Sequence, residues 1–135
     1  ASDCHPLAAN FLRENERLNE LAPLPYQHGL WSEGLMSGAA QVRQPHVVVS
    51  GRFDLIVGSD VLYERDDSGS LPWFISQHAA PGAQIWIVDP DRSNRAAFNR
   101  QMAELGLTMT EQRLDVAASA GVTAYKGRML KYGWS

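Results

Sequence analysis

The chain has 135 residues, enough for one domain with a packed core and short for two. It is 44% hydrophobic and 20% charged with a formal net charge of -3, the profile of an ordinary soluble globular protein, and nothing in it favours nucleic acid or an acidic membrane surface as a partner. Its single cysteine, Cys4, excludes an internal disulfide, and no apolar stretch approaches the roughly 20 residues of a membrane helix, so a reducing, cytoplasmic setting is expected. There is no signal-peptide pattern, and a chain that opens on Ala1 need not begin where its gene begins.

The first element is "DCHPLAANFLRENERLNEL", where Pro6 suits a first helical turn and Leu7, Phe11 and Leu18 recur at four- and seven-residue steps. This predicts an amphipathic helix with its charges on the far side. "LPYQHGLW" follows, flanked by Pro23 and Pro25, and reads as a strand. Residues 32–51 are glycine-rich and polar and read as loop, with a short strand possible at "HVVV". "FDLIVG", residues 53–58, is continuously apolar but for Asp54 and Gly58, as a strand covered on both faces would be. After the loop "ERDDSGS", a helix is expected over "LPWFISQHAAPG", ended by Pro81 and Gly82. "QIWIVD" is a second apolar run ending in an acid, Asp89. Ser93 can cap a helix "NRAAFNRQMAEL" in which Phe98, Met102 and Leu105 share a face and which Gly106 terminates. "LTMTEQRLD" and "VTAYKGRMLKYGW" both alternate with near period two, and the small-residue link "VAASAG" between them predicts an antiparallel pair.

The expected fold class is therefore α/β, Rossmann-like and doubly wound, with a mainly parallel sheet and an antiparallel C-terminal strand pair. In such sheets ligands bind beyond the carboxyl ends of the strands. Asp60 and Tyr63 in "FDLIVGSDVLYE" fall there, as does Asp89 in "DPDR", and Asp3 before the first helix makes a third such acid. Each has a structural alternative. Asp3 can be an acid facing a helix N-terminus, Trp31 a core or rim aromatic, and Asp60 and Tyr63 a turn acid and a packing ring. His5, His28, His46 and His78 show no ligand spacing, so no metal is expected. Ser50, Ser59 and Ser76 lack the G-x-S-x-G context of a serine hydrolase.

"SDCHPLAANFLRENERLN", "GLW" and then "FDLIVGSDVLYE" resemble the class I, seven-stranded S-adenosylmethionine-dependent methyltransferases, in particular the protein-lysine group that carries a D-x-x-Y motif. The motifs cover residues 1–91, and beyond them only the order of elements agrees. The resemblance implies that Asp3 accepts the cofactor ribose hydroxyls, that Trp31 packs near the adenine, and that Ser59 also belongs to the cofactor side. Asp60 and Tyr63 would then form the D-x-x-Y pair at the methyl-transfer centre, Asp60 orienting the amine and Tyr63 lining the methyl path. The implied activity is N-methylation of a protein lysine or a small amine, with no nucleic-acid or membrane partner. A non-catalytic module derived from a methyltransferase, or a nicotinamide-dependent reductase, are the alternatives.

The family's glycine-rich loop after its first strand has no match in this sequence. The resemblance thus implies a C-terminal portion, incomplete at the N-terminus, read as a single partial domain over residues 1–135. In the family's sheet the first strand is central, which puts residues 25–31 on one side of a gap and residues 53–58 on the other. With that strand lacking, residues 1–135 alone are expected neither to form the full sheet nor to bind S-adenosylmethionine tightly.

Overall fold

The computed structural model describes residues 1–31 and 49–134. It divides into two compact units, Ala1–Gly51 and Arg52–Ser135. Residues 46–48 of the strand considered at 46–49, and most of the loop expected over 32–51, lie outside the described residues.

In the first unit β1 (Ser2–Asp3) leads into α1 (Ala8–Leu18) and then β2 (Gln27–His28), which pairs with β1 in parallel. The strand expected over residues 24–31 is only two residues long, because Pro23 and Pro25 offer no N–H to a ladder. The carbonyl of Pro25 instead accepts from the Ala1 nitrogen at 2.6 Å. Pro6 precedes the helix rather than starting it, in a turn where the Ala8 N–H donates to the His5 carbonyl at 3.0 Å.

The expected inward stripe of α1 is overturned. Phe11 and Leu18 are both 63% exposed, while Glu16 is 7% exposed. The covered face is Ala8, Leu12 and Glu16, at four-residue steps, and Glu16 Oε1 accepts the Leu24 N–H at 2.7 Å. Apolar spacing shows where a helix is greasy but not which side its neighbours cover. Here a carboxylate satisfying a loop N–H has taken the inner position.

The second unit runs β3 (Phe53–Ser59), α2 (Ser70–His78), β4 (Ala79–Asp89), α3 (Arg95–Glu104), β5 (Leu107–Val116) and β6 (Tyr125–Trp134), with sheet order β3-β4-β6-β5. β3 and β4 are parallel; β4 and β6, and β5 and β6, are antiparallel. The C-terminal pair is in continuous register from Leu107↔Trp134 to Val116↔Tyr125, as the alternating patterns predict. The helix α2 ends at His78, three residues before the proline expected to stop it, and Pro81 and Gly82 lie inside β4. There the pairing jumps from Phe53↔Ala79 to Leu55↔Gln84, an irregularity that accommodates a proline and a glycine at φ 79 within a strand.

The core lies on one face of this sheet. Ile85, Ile87, Leu130 and Tyr132 of the sheet are buried, as are Leu71 and Ile75 of α2 and Phe98 and Met102 of α3. The Phe98 and Tyr132 rings meet edge to face with centroids 5.6 Å apart. β3 departs from the expectation of burial on both faces: Leu55 and Val57 are 48% and 61% exposed. It is one of the two edge strands of the sheet, so one of its sides has no neighbouring strand among the described residues. No helix among the described residues is long and apolar enough to cross a membrane.

Candidate functional site

Two parallel strands, β3 and β4, deliver their carboxyl ends side by side, with Ser59 opposite Val88. The chain then leaves each strand through an aspartate in the left-handed region, Asp60 at φ 54 and Asp91 at φ 62. Aspartate tolerates this conformation better than most residues, and backbone held there is characteristic of sites where a side chain must be aimed. The Asp60 N–H donates to the Val88 carbonyl at 2.8 Å, so the turn after β3 is anchored on β4. Leu62, 3% exposed, pins the following loop to the core, and its carbonyl accepts the Asn94 amide at 2.9 Å. Asn94 is the residue that precedes α3, so the expected cap at Ser93 is not made, and the Asn94 side chain ties the two loops together.

The carboxylate of Asp60 is gripped by Arg92: Nε donates to Oδ1 at 2.6 Å and Nη2 to Oδ2 at 2.9 Å. This two-pronged contact holds the Asp60 carboxyl below its ordinary range and raises the guanidinium of Arg92. Arg92 is itself positioned by Asp89, whose Oδ2 accepts the Arg92 N–H at 2.8 Å. Asp89 is wholly buried, and its Oδ1 has no hydrogen-bond partner among the described residues. The Arg95 guanidinium stands 3.9 Å from Asp89 Oδ2 and also binds Asp91. Arg128 joins Asp91, at 2.6 Å, to Glu111. The Asp91 carboxyl is thereby lowered, first by Arg128 and then by Arg95. Burial raises the Tyr125 phenol, and the charges of Asp89, Asp60 and Asp91 add to it.

The residues singled out from sequence are thus distributed over both units. Ser59, Asp60 and Tyr63 gather at the end of β3, with Tyr63 54% exposed. In the first unit Asp3 ends β1, its Oδ1 accepting the His5 N–H at 2.7 Å and its carbonyl the Tyr26 hydroxyl at 3.0 Å. Trp31 follows β2 and is half-buried. Sequence reasoning passed over Arg92, Arg95, Arg128 and Glu111. The signal for Arg92 was the "DPDR" turn, which repeats the strand-then-acid pattern and adds a cation. Nothing local marks Arg128 or Glu111: the β4–β6 pairing sets Arg128 opposite Asp89, and the β5–β6 pairing brings in Glu111. No group of three or more His, Cys, Asp or Glu among the described residues could hold a metal ion.

No protein-family model and no curated protein matches the sequence. Solved structures do match its fold. A methyltransferase from Pyrococcus furiosus superposes with a TM-score of 0.68 at 17% identity, covering 98% of this chain and 60% of that one. A precorrin-6y methyltransferase from Geobacter metallireducens gives 0.69 at 11% identity, covering 100% and 67%. The N-methyltransferase NodS from Bradyrhizobium japonicum, solved with S-adenosyl-L-homocysteine, gives 0.61 at 17% identity, covering 98% and 64%. The fold is that of the class I methyltransferases. The chain spans about two thirds or less of the length of these structures.

The described residues suit the nucleoside end of S-adenosylmethionine. Asp3 presents an exposed carboxylate at the carboxyl end of a parallel strand and spends one oxygen on the His5 N–H, which leaves acceptor capacity for ribose hydroxyls. Trp31 offers a half-buried ring of the kind that stacks on a base. A glycine-rich turn for the methionine end is absent from the sequence.

Proposed function

We propose that the chain is part of an S-adenosylmethionine-dependent N-methyltransferase, with a protein lysine or another amine as acceptor. The observation that carries this reading is the placement of Asp60, in left-handed backbone tied to β4, at the carboxyl end of a parallel strand in this fold. The cofactor supplies an activated methyl group on a sulfonium; the residues of the chain hold and orient what receives it. Asp3 and Trp31 would bind the nucleoside and Ser59 would stand on the cofactor side.

An amine acceptor arrives largely as an ammonium and must lose a proton before its lone pair can react. Asp60, kept anionic by the cation beside it, is suited to hold the ammonium and to orient the nitrogen once deprotonated. Tyr63, exposed beside it, would line the approach. The residues 1–135 are read as a single partial domain, and the partner is the acceptor amine, with neither nucleic acid nor membrane.

The test uses the longest natural chain that contains these residues, with labelled S-adenosylmethionine and a panel of lysine peptides and small amines. Asp60→Ala is expected to lower methyl transfer strongly while cofactor affinity stays within a few-fold. Trp31→Ala is expected to weaken cofactor binding by about 1–3 kcal/mol. Equal loss of cofactor binding in Asp60→Ala would move Asp60 to the cofactor side. An unchanged dissociation constant in Trp31→Ala would remove Trp31 from the adenine.

A further inference from the structure

We infer that Arg92 is a resident counter-cation of Asp60 that an acceptor amine must displace, so that this pair selects acceptors by positive charge. The inference rests on the reading that Asp60 faces the acceptor.

Both oxygens of the Asp60 carboxylate are engaged by one guanidinium, at 2.6 and 2.9 Å, in the geometry that a cationic acceptor would itself need. A carboxylate so occupied has no strong cation site left to offer while the fork is closed. Yet the pair is built to open. The side chains of Arg92 and Asp60 are 38% and 52% exposed, so water can re-solvate either partner, and an ion pair in that setting is weak. Opening would leave the scaffold in place, because the two backbones are held independently of the side chains. The Asp60 N–H is bonded to the Val88 carbonyl, and the Arg92 N–H to buried Asp89.

The neighbouring arginines are committed elsewhere. Arg128 spans Asp91 and Glu111, and Arg95 binds Asp91, whereas the Arg92 guanidinium is bonded through two nitrogens to Asp60. A neutral acceptor gains nothing from Asp60 while Arg92 holds it. A cationic one exchanges one charge-assisted contact for another and frees a guanidinium into solvent. The displaced arginine then adds a positive charge to the rim of the site, which disfavours a second cation beside the first.

The full chain is titrated with n-butylammonium chloride, and separately with sodium butyrate at matched ionic strength, while the backbone amide signals of Asp60 and Arg92 are followed by NMR. Arg92→Gln is expected to bind the amine about two- to fivefold more tightly than the natural chain, the range a half-exposed ion pair represents. Asp60→Asn is expected to lose the response, and butyrate to give none. Arg92→Lys keeps the charge without the fork and is expected to show a smaller gain, which guards against a folding defect in the glutamine variant.

Unchanged or weaker amine binding in both Arg92 variants would show a structural clamp and overturn the exchange. Loss of binding in Asp60→Asn would in that case leave the acceptor reading intact. A butyrate response centred on Arg92 would assign the pair to anion recognition and overturn it as well. No amine response in the natural chain or in Arg92→Gln would overturn both the exchange and the placement of Asp60 on the acceptor side.

Discussion

Gly127→Ala tests how closely β4 and β6 approach beside the acidic cluster. A Cβ built on Gly127 would stand 2.5 Å from the Asp89 carbonyl oxygen and 2.6 Å from the Tyr125 hydroxyl oxygen. The tyrosine can swing away, but the carbonyl belongs to the backbone of a central strand, so the strands themselves must part. Overpacking of that kind costs about 1–3 kcal/mol. Gly133 supplies the control within the same strand, since a Cβ there would meet nothing within 4 Å. Replacing it with alanine reduces the freedom of the unfolded chain and is expected to be neutral or stabilising by up to about 1 kcal/mol. Urea unfolding followed by tryptophan fluorescence should therefore separate the two variants by at least about 1 kcal/mol, with Gly127→Ala the weaker. If the two midpoints coincide at equal slope, the close approach of β4 and β6 at Asp89 is wrong, and with it the geometry of the carboxylate cluster.

The carboxylate of Asp66 accepts the N–H groups of Ser70 and Leu71 at 2.9 and 2.8 Å and so caps α2. Burial raises its pKa, but these bonds and the nearby serine hydroxyls outweigh it and leave the carboxyl lowered. A lowered folded value means a contribution that is complete above the ordinary value of about 3.9 and lost as pH falls below it. Asp66→Ala should lose about 1 kcal/mol at neutral pH and show a flatter acid limb, measured by urea midpoints down the pH scale; parallel acid limbs would reject the cap. Tyr132, 2% exposed, donates its hydroxyl to Asn99, and burial raises its phenol. A raised value means stability that is complete below about pH 10 and lost as pH rises above it. Tyr132→Phe should lose about 0.5–1.5 kcal/mol at neutral pH and lack the alkaline loss, and an alkaline limb unchanged in the variant would count against this burial.

Periodicity and punctuation carried much of the fold. The two-residue alternation of residues 107–115 and 122–134 predicted an antiparallel pair, which the structure forms with its second strand starting at Tyr125, and the apolar runs that end in Asp60 and Asp89 predicted strands opening onto a crevice. The same logic erred where the covering partner matters: α1 buries Glu16 and half-buries Ala8 and Leu12 rather than its most apolar stripe, and β3 leaves Leu55 and Val57 exposed. The stop expected at Pro81 failed because a strand with an irregular register can absorb a proline and a glycine that a helix cannot.

By itself the sequence determined the strand-then-acid pattern, since an apolar run followed at once by charge has one stable place in an α/β sheet. It determined which residue types stand at those ends: Asp3, Asp60, Tyr63 and Asp89. Only the tertiary structure decided that Asp60 is paired, because its partner Arg92 lies 32 residues away, on the turn after the neighbouring parallel strand. It likewise decided that Arg128 and Glu111 join the cluster: the pairing of β6 with β4 brings Arg128 to Asp91, and its pairing with β5 brings Glu111, 17 positions from Arg128, to the same guanidinium. Charge pairing of this kind depends on distances of a few ångströms across strands, and one-dimensional spacing carries no record of them until the sheet is formed.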